Sequence, residues 1–225
     1  MVCIETEARE SLQIQESYGH CLTYILPKTL NVTVHWPTYA KLYQQLIAGI
    51  TLNKGTKLYW FDKKGKGNRY VLLPKSLTII WIDDCQYWKW IPGEIYGKKI
   101  DVAQLIKVCW LDISGKLKQY ALSSGVLYEV LCHVCVTPCA SGWQEPVIFV
   151  ITLPDGKKIE TKESLQCKPR DVWFTIKIGE FKVDKHDCNS DKEYEFRVYN
   201  HSSQWKTGLK FKGFEIRPKQ SSCGC

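Results

Sequence analysis

The chain has few of the features that place a protein in a familiar class at once. It holds one methionine against nine tryptophans, and such an excess of indole rings points to binding faces as well as packing. No apolar run approaches the roughly 20 residues that a membrane-spanning helix needs. The sequence also lacks a nucleophile elbow, a phosphate-binding P-loop and a His-Glu-x-x-His zinc motif, so the enzyme classes built on those motifs find no support.

The amino-terminal segment lacks the basic and then apolar pattern of a secretory signal. It begins Met-Val-Cys-Ile-Glu-Thr-Glu, and residues 1–26 carry four glutamates against one arginine. We therefore expect a cytoplasmic protein without a signal peptide and without membrane contact. The whole chain carries a net charge of +8, so its remainder is strongly basic, which permits contact with RNA or other polyanions.

Cysteine is abundant, with eleven residues, and the odd number excludes complete pairing within one chain. In a reducing cytoplasm most of these side chains should be free thiols. Cys223 and Cys225 differ from the others because they follow a polar tail, in the sequence Ser-Ser-Cys-Gly-Cys. We expect both thiols to be exposed and to form intermolecular disulfides.

Short strands separated by glycine-containing turns dominate the chain from residue 77 onward. The turn signals include Pro92-Gly93, Ser114-Gly115, Ser141-Gly142, Pro154-Asp-Gly156, Gly179 and Thr207-Gly208. The predicted strands cover residues 77–82, 105–112, 117–123, 126–136, 147–152, 172–178, 193–199 and 208–217. Such spacing predicts an all-β, jelly-roll-like β-sandwich.

The amino-terminal third has a different pattern. Pro37-Thr38 begins a predicted helix with Leu42, Leu46 and Ile50 on one face, and Gly55 ends that unit. Apolar runs at 58–61 and 70–73 then flank a basic loop and predict a hairpin. We divide the chain into a short helical N-terminal extension with the hairpin (1–72), packed on the main domain, the main domain (73–219) and a cysteine-containing tail (220–225).

An aromatic stretch at residues 77–90 organises the sequence around two carboxylates and an amide. The polar residues are Asp83, Asp84 and Gln86, and the rings around them are Trp81, Tyr87, Trp88 and Trp90. Flat rings stack on the C–H faces of a sugar while polar groups bond its hydroxyls. The other interpretation is a buried strand followed by a polar turn. Alternation places Trp81 on the core face of the strand, and we expect Trp88 and Trp90 to face a ligand.

Four segments in order, SLTIIWIDDCQYWKW, DVAQLIKVCWLDISGKL, DVWFTIKIGEF and TGLKFKGFEIRPK, resemble the plant phloem protein 2 family, whose shared module is the tobacco-agglutinin (Nictaba) domain. The resemblance covers about residues 73–219. The N-terminal third further resembles the larger cucurbit phloem lectins. The resemblance implies a β-sandwich lectin, not an enzyme, that binds N-acetylglucosamine oligomers, including chitooligosaccharides and the N-glycan core, in the cytoplasm of phloem cells, with a role in defence and wound response.

The same resemblance carries individual residues into the candidate site. The two tryptophans that the family needs for sugar binding fall on Trp81 and Trp88, and a family glutamate falls on Glu193. Trp90 and Trp205 also match family tryptophans. The second family glutamate has no counterpart here, because the stretch is one residue shorter, and Asn200 is the nearest residue. The implied partners are glycoproteins, a second copy of the chain in a homodimer, other phloem proteins through disulfides, and RNA.

Two further sequence patterns suggest chemistry that other observations oppose. The spacing Cys132-His133-x-Cys135-x3-Cys139 is typical of zinc, but strand alternation sends Cys132 to one face and His133 to the other, so the ligands do not converge. Asp83 and Asp84 together with Glu193 and Glu195 form the carboxylate pairs that a glycosidase needs. The resemblance implies binding without cleavage, and we expect neither a metal nor a cofactor.

The basic loop of the predicted hairpin offers a second binding hypothesis. Its cations could contact the phosphates of RNA, and neighbouring rings could stack on bases. The cations are Lys63, Lys64, Lys66 and Arg69, and the rings are Trp60, Phe61 and Tyr70. The alternative is a solvated hairpin tip without a partner, which is the commoner role of such a loop.

Overall fold

The structure is a computed structural model that describes residues 39–62, 67–184 and 191–220. Several predictions fall outside these ranges. They concern the chain before residue 39, the three lysines of the basic loop (Lys63, Lys64 and Lys66), and the tail cysteines Cys223 and Cys225.

The described residues form one α-helix, α1 (Tyr39–Ala48), and a succession of β-strands in two sheets. Short 3-10 turns follow β1, β3 and β7. The strands are β1 (Ile50–Leu52), β2 (Lys57–Asp62), β3 (Gly67–Leu72), β4 (Thr78–Ile79), β5 (Trp88–Ile95), β6 (Lys98–Leu105), β7 (Leu111–Lys118), β8 (Leu127–Val136), β9 (Val147–Thr152), β10 (Lys158–Glu163), β11 (Trp173–Lys182), β12 (Glu193–Asn200) and β13 (Leu209–Pro218).

The larger, eight-stranded sheet is organised around β13. One edge of β13 pairs along its whole length with β8, which in turn pairs with β11. Its other edge pairs first with β6 and then with β3. The β5–β6 and β2–β3 hairpins therefore lie side by side, and β1 extends the sheet beyond β2. All of these pairings are antiparallel.

The smaller sheet has the strand order β10-β9-β12-β7-β4 and packs face to face with the larger one. Strand β12 alternates as the sequence predicts: Tyr194, Phe196 and Val198 are buried between the sheets, and the residues between them face outward. Burial of apolar rows from both sheets forms one continuous core. The prediction of an all-β sandwich is confirmed.

The predicted helix is present, but it ends earlier than the sequence predicts. Gly49 adopts φ +87 directly after α1, so the helix stops there and not at Gly55. A Cβ on Gly49 would lie 1.9 Å from Nε1 of Trp60, so only glycine allows the helix to pack this closely on β2. Ile50, predicted on the helix face, instead begins β1.

Three predicted turns lie inside strands. Gly93 is in β5, Gly115 is in β7 and Gly179 is at a bulge in β11. At each position an added Cβ would come within 2.4–2.5 Å of a packed side chain; on Gly115 it would meet Leu77 Cδ2. These glycines leave room for neighbouring side chains to pack against the strand backbone, which is a second reason for glycine to occur within a strand.

Two of the misassigned glycines, Gly93 in β5 and Gly115 in β7, account for part of the errors in the strand predictions. The predicted strands 105–112 and 117–123 are wrong, because residues 106–110 form a loop between β6 and β7, and β7 runs through Gly115. Strands β5, β6 and β10 have no counterpart among the predicted strands. The turns at Gly142, Gly156 and Gly208 are real, and each glycine has a positive φ.

The predicted hairpin is confirmed as β2 and β3. Its strand β3 pairs with β13, so the hairpin is hydrogen-bonded into the larger sheet. The hairpin also packs against β5–β6 on the outer face of that sheet, through a small separate apolar cluster that includes Leu58, Val71 and Val102.

Candidate functional site

One end of the sandwich collects most of the exposed apolar side chains. Ten large hydrophobic residues are exposed in the described part of the chain, and seven lie at the end where β6 and β8 finish and β7 and β13 begin. They are Ile80, Trp81, Ile106, Trp110, Val172, Trp173 and Trp205. Exposed indoles concentrated at one end indicate a binding surface.

Three loops at this end are joined by backbone hydrogen bonds. We name them site loop 1 (80–87), site loop 2 (106–110) and site loop 3 (201–208). Between site loops 1 and 2, the N–H of Ile106 donates to the carbonyl of Tyr87 at 2.8 Å. Between site loops 2 and 3, the backbones of Val108 and Lys206 exchange two hydrogen bonds of 3.0 and 2.7 Å. The exposed rings of these loops therefore belong to one connected surface.

Trp81 is held outward by the backbone of site loop 1. Its φ is +65, a left-handed conformation that a residue with a large side chain seldom adopts. The loop closes around it through a hydrogen bond from the N–H of Asp84 to the carbonyl of Trp81 at 3.1 Å. The ring is 58% exposed and touches Tyr87, with ring centroids 5.6 Å apart. The prediction that alternation buries Trp81 is wrong, because the strand ends at Ile79.

Trp88 has the opposite environment, which also corrects the prediction. It is only 2% exposed at the start of β5, where its ring lies in the core. Its indole N–H donates to the carbonyl of Ile80 at 3.0 Å. The ring therefore has no free face for a ligand in this structure. Its hydrogen bond instead fixes Ile80, the first residue of site loop 1.

The polar residues of site loop 1 divide between turn chemistry and exposure. Asp84 accepts a hydrogen bond from the backbone N–H of Gln86 at 2.8 Å, as in an Asx turn. The side chains of Asp83 and Gln86 are exposed beside the aromatic pair. Asp84 thus shapes the loop, while Asp83 and Gln86 offer groups that a sugar hydroxyl could bond.

Trp90 lies on β5 outside the three loops. It is exposed on the same strand face as Trp88, and the ammonium of Lys75 is 5.7 Å from its ring centroid. Lys75 is paired in turn with Asp101. The Trp90 ring, on the edge strand β5, is therefore partly covered by Lys75. Trp90 follows site loop 1 in the sequence but is not part of that loop.

Site loops 2 and 3 are held together by a buried lysine. Lys206 is fully buried, and its ammonium donates to the carbonyls of Cys109 at 2.7 Å, Ser202 at 3.2 Å and Gln204 at 2.9 Å. Burial lowers the pKa of Lys206. The next residue back, Trp205, is 53% exposed, with the ammonium of Lys107 5.9 Å from its ring centroid. The buried cation thus supports an exposed indole.

The structure does not bring Glu193 to this surface. Glu193 pairs with Lys118 in strand register, whereas Ile80 bonds the carbonyl of Asp112. Six residues of strand separate these positions, or about 20 Å. Glycosidase carboxylates lie within about 10 Å of one another, so Asp83 or Asp84 and Glu193 do not form a catalytic pair.

Asn200 lies at the loop end but acts within the protein. It is buried, and its amide donates to the carbonyls of Glu145 and Pro146 at 3.4 and 3.0 Å. Its Oδ1 accepts from the N–H of Ser202 at 3.0 Å. Because both ends of the amide have partners, Asn200 fixes the start of site loop 3.

A cluster that the sequence reasoning did not single out lies beside site loop 2. The Trp110 ring stacks on His201, with centroids 3.8 Å apart and planes at 10°. His201 Nε2 is 2.9 Å from Oδ2 of Asp112, which also accepts hydrogen bonds from Arg197. Burial alone would raise the pKa of Asp112, but the bonds from Arg197 and His201 lower it. Trp110 was missed because it fell inside the predicted strand 105–112.

The zinc-like spacing places its residues on two faces, as strand alternation predicts. Cys132 faces the core, and burial raises its pKa. His133 faces outward, where its Nε2 is 2.6 Å from Oε2 of Glu215. Within the described ranges, no group of three or more His, Cys, Asp or Glu side chains could hold a metal ion.

Glu215 is the centre of a charged cluster on the outer face of the larger sheet. It is 0% exposed, and its carboxylate accepts a hydrogen bond from Tyr96 at 2.7 Å and lies 2.6 Å from the guanidinium of Arg69. Arg69, which the sequence offers as an RNA contact, is thus ion-paired and packed 4.1 Å over the Tyr96 ring. Arg217 is 3.8 Å away as a second cation.

The comparison with known families decides the assignment. The chain matches the phloem protein 2 family over residues 67–218. It belongs to the phloem protein 2 family. A lectin of Luffa acutangula is 43% identical, over 90% of this chain and 95% of the relative. A lectin of Coccinia grandis is 33% identical, over 65% of this chain and 92% of the relative.

Similarity to solved structures is weaker than similarity within the family. A xylan-binding domain of Paenibacillus barcinonensis aligns with a TM-score of 0.38 and 11% identity, over 67% of this chain and 90% of that domain. Nothing about function follows from a match of this size. In the part of the phloem protein 2 chain that the structure describes, no helix is long and apolar enough to cross a membrane.

Proposed function

We propose that this phloem protein 2 chain is a lectin that binds N-acetylglucosamine oligomers at the end of the sandwich formed by the three site loops. The observation that carries the proposal is the conformation of Trp81. A left-handed backbone costs a non-glycine residue about 1–2 kcal/mol. Here that conformation turns the indole into water, where it is 58% exposed. Such strain is concentrated at ligand-binding positions.

The chemistry around Trp81 suits a neutral sugar. Tyr87 packs beside it, and the exposed Asp83 and Gln86 supply an anionic acceptor and an amide. Trp205 adds a second half-exposed ring on a loop tied to the same surface. Rings that stack on C–H faces, with polar groups at their rims, are the usual means of binding pyranose rings.

The relatives support binding without cleavage. The Luffa and Coccinia proteins are both named lectins. A glycosidase would need Asp83 or Asp84 to act together with Glu193. These carboxylates lie too far apart to do so. The chain therefore functions as a binding protein in this proposal, in the cytoplasm of phloem cells, with glycoproteins as its larger partners.

Calorimetric titration with tri-N-acetylchitotriose tests the proposal. We expect Trp81→Ala to weaken binding about tenfold or more, because the stacked ring is lost, while its melting temperature stays close to that of the unchanged protein. Leu127→Ala is the control, since that exposed side chain lies at the start of β8, at the opposite end of the sandwich. No heat of binding from the unchanged, reduced protein, or equal affinity for the Trp81→Ala variant, would refute it.

Dimerisation, RNA binding and cross-linking through Cys223 and Cys225 are separate proposals that rest on the sequence. Tail cross-linking predicts ladders on non-reducing gels that disappear when both cysteines are changed to serine. The proposal of RNA binding is supported by the net charge of +8. The ion pair between Arg69 and Glu215 leaves Lys63, Lys64 and Lys66 as the cations that a gel-retardation assay should test.

A further inference from the structure

Trp110 has the form of a second ring platform at the same end of the sandwich as Trp81. Its indole is 50% exposed, and one of its two faces is covered by the parallel imidazole of His201. The exposed surface of the ring is therefore concentrated on the opposite face. A flat ring with one face packed and the other in water is the geometry that stacking on a sugar requires.

The imidazole behind Trp110 is itself fixed from several sides. His201 bonds Asp112 on β7, and Asp112 is held by two hydrogen bonds from Arg197 on β12. The Tyr199 ring lies 4.9 Å from His201, with Arg197 5.0 Å over that ring. These contacts come from two neighbouring strands, so the position of His201 is set by the sheet and not by its loop.

The two platforms share a backbone connection. The N–H of Ile80, next to Trp81, donates to the carbonyl of Asp112 at 3.1 Å. Asp112 is two residues from Trp110 and bonds the imidazole on which that ring stacks. The segment that presents Trp81 and the segment that presents Trp110 are thus anchored at the same point of the smaller sheet.

We propose that Trp110 is a sugar-stacking ring of the site and that His201 is its positioning residue, held in place by Asp112 and Arg197. The proposal rests on the lectin function proposed above. It adds a binding residue on site loop 2, in a segment that resembles the family but in which the resemblance gave Trp110 no role. Positioning increases affinity because a ring already held in the bound orientation loses little conformational freedom when the sugar arrives.

Three variants measured with tri-N-acetylchitotriose test the inference. Trp110→Ala should weaken binding about tenfold. His201→Phe keeps a flat ring behind the indole and should bind within about twofold of the unchanged protein. His201→Gln keeps a donor for Asp112 but has no ring, and should weaken binding about three- to tenfold. Melting temperatures identify any variant that has lost its fold.

The outcomes separate this inference from the lectin proposal. Wild-type affinity in Trp110→Ala, together with a loss in Trp81→Ala, would overturn the role of Trp110 and leave the lectin function standing. Strong binding by His201→Gln with weak binding by His201→Phe would overturn the positioning role, because the hydrogen bond and not the ring would then matter. Absence of binding by the unchanged protein would overturn both.

Discussion

Replacing Glu215 by glutamine should destabilise the protein more than any surface change of the same kind. The Glu215 carboxylate is fully buried and receives the hydroxyl of Tyr96, the His133 ring nitrogen and the guanidinium of Arg69. Glutamine has nearly the same shape but only one acceptor oxygen, and its amide nitrogen donates. At least one of the surrounding donors then loses its acceptor, and Arg69 loses its counter-ion.

The magnitude follows from burial. Removing one partner of a buried ion pair costs about 3–5 kcal/mol, because the remaining charge has no compensation. A whole domain is stable by only about 5–15 kcal/mol, so Glu215→Gln should remove a large part of that margin. For a chain of this size, each kcal/mol lowers the melting temperature by about 2–4 °C. We therefore expect the melting temperature to fall by about 6–20 °C.

Thermal unfolding at neutral pH measures the effect, and Glu180→Gln is its control. Glu180 also pairs with two cations, Lys177 and Lys219, but on an exposed face of β11, where ion pairs add little. We expect no measurable change for Glu180→Gln. A melting temperature for Glu215→Gln equal to that of the control would refute the view that the Glu215 carboxylate compensates buried positive charge.

The pH dependence provides a second check on the same carboxylate. Burial alone would raise the pKa of Glu215, but the hydrogen bond from His133, the charge of Arg69 and the Tyr96 hydroxyl together lower it. A lowered pKa in the folded state contributes stability above the ordinary glutamate pKa of about 4.3, and that contribution is lost as the pH falls through the folded value. The stability difference between the unchanged protein and Glu215→Gln should therefore shrink below about pH 4.

Three further variants test how the site loops and strands are held. Lys206→Met should lower the free energy of unfolding by about 1–3 kcal/mol, because three carbonyls lose their hydrogen-bond donor, and hydrogen exchange should quicken at residues 106–110. Lys210→Met is the control and should change little, because Lys210 pairs with the exposed Asp171. Trp88→Phe should cost about 2 kcal/mol in urea unfolding, through the lost bond to Ile80 and the lost volume. Gly115→Ala should cost about 1–3 kcal/mol, and adding Leu77→Ala should return part of it in a double-mutant cycle; strictly additive losses would contradict the contact.

Alternation of apolar residues was enough to predict the sandwich and several of its strands. Strand β12 is buried and exposed at the predicted positions because its period of two is unbroken. Some of the errors arose at glycine, which has two physical roles. Gly142 and Gly208 adopt positive φ in turns, as expected, whereas Gly93 and Gly115 make room for neighbouring side chains within strands. Only the packing of a second element distinguishes these roles, and that packing is not a local property of the sequence.

The same limit explains the misplacement of the aromatic rings. Alternation places Trp81 inward only if its strand continues, but β4 ends at Ile79 and the backbone turns left-handed at Trp81. Trp110 was predicted inside a strand that proved to be site loop 2. A local rule gave the period correctly and the strand ends wrongly, and a ring at a strand end changes from buried to exposed within one residue.

The reversal between Trp81 and Trp88 changes what a loss of binding at either position would mean. The resemblance implies that both tryptophans are needed for sugar binding, yet only Trp81 has an exposed face. Trp88 instead supports site loop 1, because its indole N–H donates to the carbonyl of Ile80, the residue immediately before Trp81. Truncating Trp88 should therefore weaken binding through the shape of site loop 1, with a lower melting temperature, whereas truncating Trp81 should weaken binding alone. Under the proposed function, one short motif would thus supply both the ring that meets the ligand and the ring that positions it.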